Sequence, residues 1–206
     1  MEKVKIRKAN AGDAEIVAFL LFDSGPEAFQ YVFNTGGKTA LDFLNYSFRE
    51  KGGEFGHGCH SCILLDDTII GIGAEFSGEN AISFLWHNAK QIVLFYGWRA
   101  AGVIFRGLKV ERVLVPPKKN VHYIAHLDIS ENYRGKGMGT KLIEHFIENS
   151  KMLNRRLLEL DVAVTNPEAK KLYTRLGFEA DHVRESTLKR NGICVPSYER
   201  MKKLRA

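Results

Sequence analysis

Residues 121–140, VHYIAHLDISENYRGKGMGT, constrain the fold more than any other stretch of the chain. Val121 to Ser130 alternates as a strand does, with Tyr123, Ala125, Leu127 and Ile129 on one face and His122, Ile124, His126, Asp128 and Ser130 on the other. Arg134-Gly135-Lys136-Gly137-Met138-Gly139-Thr140 follows, and then Leu142, Ile143, Phe146 and Ile147 at helical spacing. A helix that opens on glycines leaves its first N–H groups uncovered, and the helix dipole favours negative charge there. Such a start can close around a phosphate, and Arg134 and Lys136 add positive charge. The expected ligand group is a pyrophosphate, held where the strand ends.

Spacing sorts the phosphate loops. The dinucleotide fingerprint starting at Gly135 needs a third glycine where Thr140 stands. The P-loop needs Lys-Ser/Thr after its last glycine, and this loop lacks it. The Gly37-Lys38-Thr39 string elsewhere has neither the earlier glycine nor the preceding strand, so it reads as a loop between helices. What does fit is R/Q-x-x-G-x-G/A through Arg134, Gly137 and Gly139. A second strand, RLLELDVAV at 156–164, then leads into Asn166-Pro167-Glu168, an N-cap, N1 and first-turn acid. Ala169, Leu172, Tyr173 and Leu176 form the stripe of that helix, and Gly177 ends it before Phe178.

The loop pattern and the later string NPEAKKLYTRLGF together resemble the signature of the GCN5-related N-acetyltransferase (GNAT) family. The resemblance covers residues 121–180 tightly and both ends more loosely. It implies an α+β fold of the three-layer type: a mixed, mostly antiparallel central sheet with a splayed parallel strand pair, flanked by helices. It also implies acetyl-CoA as co-substrate and a primary amine as acceptor, attacked directly in a ternary complex. Splayed strands leave backbone groups unpaired, and the pantetheine amides can pair with them at Leu127, Asp128 and Ile129. The pyrophosphate falls to Arg134, Gly135, Lys136, Gly137, Met138, Gly139 and Thr140, and Asn166 to the cofactor's arm. Tyr173 takes the place of the general acid that protonates the departing thiolate. Its position on an apolar stripe also suits simple packing. The resemblance puts the base near the start of the central strand, often a carboxylate or histidine. Here His122 and Tyr123 stand there, with no carboxylate, and a strand histidine is as readily structural. A CoA-binding regulatory module without catalysis is the alternative reading.

Composition narrows the class. At 206 residues one N-acetyltransferase domain over 1–206 is expected. The segment at about 79–120 reads as a helical insertion, largely apolar and aromatic, with breaks at Gly97, Gly102 and Gly107. So apolar a segment must be covered, and it suits core, pocket wall or the interface of a homodimer. Three cysteines, an odd number, suggest no disulfide framework. His57, Cys59, His60 and Cys62 crowd together, but no second Cys/His pair follows, so no metal is expected. The net charge of +6 is spread along the chain, which argues against a nucleic-acid partner. No apolar run is long enough to span a bilayer and the first residues lack a signal-peptide core, so the expected place is the cytoplasm, with no membrane partner. The acceptor amine has no sequence signature.

Overall fold

A computed structural model describes residues 3–205. The alternating segments form seven strands of one sheet: β1 (Val4–Lys8), β2 (His60–Leu65), β3 (Thr68–Phe76), β4 (Val121–Ile129), β5 (Leu157–Ala163), β6 (Glu179–Arg184) and, last in the chain, β9 (Tyr198–Leu204). Their order across the sheet is β1-β2-β3-β4-β5-β9-β6. β4 and β5 pair in parallel, and the other neighbours in the sheet are antiparallel. This is the mixed, mostly antiparallel architecture expected. The C-terminal segment makes two ladders. β6 and β9 pair with each other, and a separate two-residue ladder, β7 (Lys189–Arg190) with β8 (Ile193–Cys194), stands between them. Asn191 and Gly192 turn that ladder, both with positive φ.

Helices cover both faces. α1 (Ala14–Asp23), α2 (Pro26–Phe33) and α3 (Ala40–Phe48) lie on one face with α4 (Ala81–Tyr96) and α5 (Ala100–Val110). Capping boxes at Asn10 and Thr39 start two of these helical segments. α6 (Met138–Met152) and α7 (Pro167–Arg175) lie on the other face. Two cores result. Val17, Leu21, Phe43, Phe48, Ile72 and Val103 belong to the first, and Ile63, Ile124, Leu142, Phe146 and Phe178 to the second. Neighbouring residues of one strand divide between them, as Ile63 and Leu64 do, because a strand alternates its side chains.

Two expectations change, and one helix turns apolar residues outward. Phe19 is 59% exposed, and Ile16 beside it is also exposed. α1 buries Val17, Ala18 and Leu21 instead, and turns Ile16 and Phe19 towards a groove beside residues 130–134. In the 79–120 segment only Gly97 breaks the helical path, with φ 57°; Gly102 and Gly107 sit inside α5. The alternation of β4 also fails part-way. His126 takes φ 52°, and the register against β3 slips between Ile72↔Asp128 and Ala74↔Ala125. Two residues, His126 and Leu127, therefore oppose Gly73, which is a β-bulge. Side chains change face there. Tyr123 packs on one side, whereas Ile124, Leu127 and Ile129 all join the α6–α7 core. Gly73 is required opposite the bulge, since a Cβ would come within 2.7 Å of the Phe146 ring and 2.8 Å of Leu127. Among the described residues no helix is long and apolar enough to cross a membrane.

Candidate active site

The bulge re-aims β4 away from its parallel partner. Pairing with β5 runs from Val121↔Leu157 to Ile124↔Leu160 and stops. Ser130 donates its N–H to the Ile70 carbonyl on β3, so alternation turns the backbone of Asp128 to β3 and that of Leu127 and Ile129 to the parting edge. The glycine turn follows at once. Gly135 and Gly137 both have positive φ, and nothing lies within 4 Å of a Cβ built on either. Gly137 is the N-cap of α6 and supplies no side-chain cap. The first backbone bond of α6 comes from the Lys141 N–H to the Gly137 carbonyl, so the N–H groups of Met138, Gly139 and Thr140 point out of the helix end. Gly139 is close-packed, its hypothetical Cβ 3.3 Å from Leu172 of α7. An open strand edge thus runs into an uncapped helix start.

On the other face lies a cavity of about 440 Å³. Phe29 and Val32 of α2, Phe84 and Ile92 of α4, and Ile104 and Leu108 of α5 give it apolar walls. Tyr123, Ala125 and His126 bring the bulged part of β4 to it, and Glu54, Glu111 and Asp161 are its carboxylates.

Residues 22–178 match the acetyltransferase (GNAT) family.

The chain belongs to that family.

The chain is 40% identical over 72 residues to an uncharacterized N-acetyltransferase of Methanocaldococcus jannaschii. That match covers 35% of this chain and 32% of the relative, so it spans about a third of the relative's length. Among solved structures, an N-acetyltransferase from Staphylococcus aureus superposes with a TM-score of 0.70 at 19% identity, over 96% of this chain and 99% of the other. The polyamine N-acetyltransferase of Drosophila melanogaster superposes with a TM-score of 0.57 at 16% identity, over 98% of this chain and all of the other. Both likenesses are of fold.

The fold places the candidate residues unevenly. Tyr173 is buried in the same core as Leu127 and Ile129, beside the open edge, and its hydroxyl has no hydrogen-bond partner among the described residues. Burial pushes its phenol up, and the charge of Asp128 pushes it further, so it carries its proton at neutral pH. Asn166 caps α7 with its side-chain oxygen, which accepts from Ala169 N–H at 3.1 Å. Arg134 does not reach out to the loop. Its Nε donates to the Ile129 carbonyl at 2.7 Å and its Nη2 to Asp128 Oδ1 at 2.9 Å. Lys136 is exposed and lies over the Tyr133 ring. The other oxygen of Asp128, Oδ2, is buried without a partner.

The two expected base candidates are placed elsewhere or otherwise engaged. His122 is buried on the α6 face, with Nε2 3.1 Å from Glu75 Oε2, and it does not line the cavity. Burial would raise the Glu75 carboxyl, but His122 and Lys8 outweigh it and hold the group below its usual range. Tyr123 does line the cavity, yet its hydroxyl donates to Asp161 Oδ2 at 2.7 Å. Burial first, and then Asp161, keep that phenol protonated. Asp161 is itself gripped by Arg200, whose Nε and Nη2 donate to it at 2.7 and 2.8 Å while Nη1 donates to Glu159 at 2.5 Å.

Different residues bring acid–base groups to the cavity. His60 Nδ1 lies 2.8 Å from the Gly56 carbonyl, which only accepts, so Nδ1 carries the hydrogen. Burial lowers His60 to about 4, so it is neutral and its Nε2 accepts. His126 Nδ1 lies 3.2 Å from that atom and must donate to it. Burial holds His126 neutral too, which leaves the lone pair on its Nε2. Glu54 Oε1 lies 4.0 Å from that lone pair. Burial, and then the charge of Glu111, push Glu54 up to about 7. α4 fixes the loop that carries it: Asn88 Oδ1 accepts from Glu54 N–H at 3.0 Å, and Gln91 Nε2 donates to the Gly52 carbonyl at 3.1 Å. The sequence signal for His60 was the HGCHSC cluster, read there only as a candidate metal site. Among the described residues no group of three or more His, Cys, Asp or Glu is arranged to hold a metal ion.

Proposed function

We propose that residues 1–206 form a single domain that transfers acetyl from acetyl-CoA to a primary amine in a ternary complex. The observation that carries this is the parting of β4 from β5 after Ile124↔Leu160, directly beside the uncapped start of α6. Acetyl-CoA supplies the activated acetyl group as a thioester. Leu127 holds its amide arm through its free backbone edge, in the manner of an added strand, and Ile129 follows on the same edge, its carbonyl shared with Arg134. Asn166, through the amide nitrogen that its capping oxygen leaves over, bonds the same arm. The N–H groups of Met138, Gly139 and Thr140 take the pyrophosphate, with room made by Gly135 and Gly137 and charge from Lys136. The Asp128 backbone faces β3, so its part is to hold Arg134 across the end of β4. An N–H on the free edge polarises the thioester carbonyl.

His122 and Tyr123 give way to Glu54 and His126 as the proton acceptors. An amine must shed a proton before its lone pair can attack, and a base works best with a pKa near the working pH. Glu54, near 7, meets that condition, and the fixed lone pair of His126 orients the nitrogen. Glu54 takes one proton from the bound ammonium; the N–C bond then forms as the C–S bond breaks, Tyr173 gives its proton to the departing thiolate, and the second nitrogen proton leaves to solvent, from which Tyr173 regains its own. The products are the N-acetylated amine and CoA.

Thiol release from acetyl-CoA, followed with a panel of primary amines, tests this reading. It requires amine-dependent release together with an acetylated amine in the product. Tight acetyl-CoA binding with no amine-dependent release would leave a non-catalytic CoA-binding module instead.

A further inference from the structure

The cavity has a one-sided charge. Among the described residues, none of those lining it is Lys or Arg. Asp161 is neutralised by Arg200, but among the described residues Glu54 and Glu111 have no basic side chain within ion-pairing distance, and Glu54 has only the neutral His126 at 4.0 Å. Burial raises both carboxyls, and Glu111 raises Glu54 further. Two unpaired carboxylates that line one largely apolar cavity are relieved by a bound cation. Most of the remaining wall is aromatic and aliphatic, from Phe29, Val32, Phe84, Ile92, Ile104 and Leu108, with Ser77 and Asn88 as neutral polar groups. Its volume, about 440 Å³, is that of a pocket for one small ligand.

We infer that the acceptor is a monoamine with an apolar body, bound as its ammonium between Glu54 and Glu111, and that amines bearing a carboxylate are refused. This rests on the N-acetyltransferase reading above and adds the substrate class. The ammonium lies beside His126, and the apolar body lies along α2, α4 and α5. An amino acid would bring a second carboxylate to a site that already has two and no cation for it. A diamine would bring a second ammonium to a wall whose remaining carboxylate, Asp161, is already paired with Arg200. The Drosophila enzyme of similar fold is described as forming N-acetylagmatine; this cavity argues for a different acceptor.

The test compares 2-phenylethylamine, hexylamine, putrescine, agmatine and phenylalanine at saturating acetyl-CoA, by thiol release and by the rise in melting temperature. Phenylalanine differs from 2-phenylethylamine by the carboxylate alone. The expected result is kcat/KM for 2-phenylethylamine or hexylamine about 100-fold or more above that for phenylalanine, and about tenfold or more above that for putrescine and agmatine, as expected where a buried charge is left unpaired. Glu111→Gln, at the rim of the cavity, should raise KM for 2-phenylethylamine roughly two- to fivefold, the worth of an exposed charge pair. Equal turnover of phenylalanine, or preference for putrescine or agmatine, would overturn the inference and leave the N-acetyltransferase reading standing. A melting-temperature rise selective for the apolar monoamines without any turnover would support this binding site and remove the proposed reaction. No turnover and no selective rise would overturn both.

Discussion

The two faces of β4 were built from different kinds of sequence. On the α6–α7 face, everything that meets the open edge comes from one contiguous stretch: the strand, the glycine turn, α6, β5 and α7 lie within residues 121–178. On the other face the cavity draws Glu54 from a glycine loop, Asn88 from α4, Glu111 from the end of α5 and His126 from β4, with His60 of β2 bonded behind His126. The first face is local in sequence and ends on backbone N–H groups. The second is assembled across the chain and ends on side-chain acids, a histidine lone pair and apolar walls. The difference separates two tasks, holding a common co-substrate by the backbone and choosing an acceptor by side chains. Variants on one face should therefore leave the other's measurement alone.

The largest expected effect is on the first face. A glutamate at Gly137 puts a carboxylate into the mouth of α6 and displaces charge-assisted bonds worth about 1.5–3 kcal/mol each. Gly137→Glu should weaken acetyl-CoA binding at least roughly 100-fold on that scale. The variant still folds, since only the αL penalty of about 1–2 kcal/mol acts on it and a Cβ there meets nothing within 4 Å. Titration calorimetry and circular dichroism read the two parts separately.

Tyr173→Phe comes next. Loss of a general acid lowers kcat by about 10²–10⁴-fold, with the acetyl-CoA dissociation constant unchanged. Unaltered kcat would assign Tyr173 to packing against Phe178 alone.

On the second face, Glu54 sets the pH dependence. With its group near 7, kcat/KM should fall as pH drops through about 7, and Glu54→Gln should remove that limb. Stability moves in the opposite sense. A carboxyl raised in the folded state binds a proton that the unfolded chain has already released, so it costs stability increasingly as pH rises from the ordinary value of 4.5 to about 7. Glu54→Gln should therefore melt higher than the parent at pH 8 and equally at pH 4. The reverse order, with the variant less stable at pH 8, would mean that Glu54 has a cationic partner.

Much of the first face was legible because glycine spacing, an N-cap with proline behind it and helical stripes are local signals. The second was not. Nothing in the alternation of VHYIAHLDI marks His126 as a left-handed residue, and the bulge it makes reverses which side chains face the cavity. His122, by sequence as good a base as His126, is turned by the same alternation to Glu75 and α6. Glu54 sits in a glycine-rich loop whose shape depends on Asn88 and Gln91, more than thirty residues later. Such placements come from tertiary contacts, and no short window contains them. The 79–120 segment was legible as helical and apolar, yet its division was not: Tyr96 is core, whereas Trp86 and Trp98 are 72% and 86% exposed.

Those two tryptophans give the smallest expected effect. Trp86→Ala and Trp98→Ala remove exposed side chains, so stability should change by less than about 0.5 kcal/mol and acetyl-CoA affinity should hold within error. If either forms part of a surface between two copies of the chain, sedimentation velocity will show a lower mass for the variant. A loss of acetyl-CoA affinity would break the separation of the two faces.

Titration of acetyl-CoA into the parent protein, Gly137→Glu and Glu54→Gln tests the central claim most directly. The division of labour predicts micromolar binding to the parent, the same binding to Glu54→Gln and none detectable to Gly137→Glu. Equal affinity of Gly137→Glu and the parent, or loss of binding in Glu54→Gln, would contradict it.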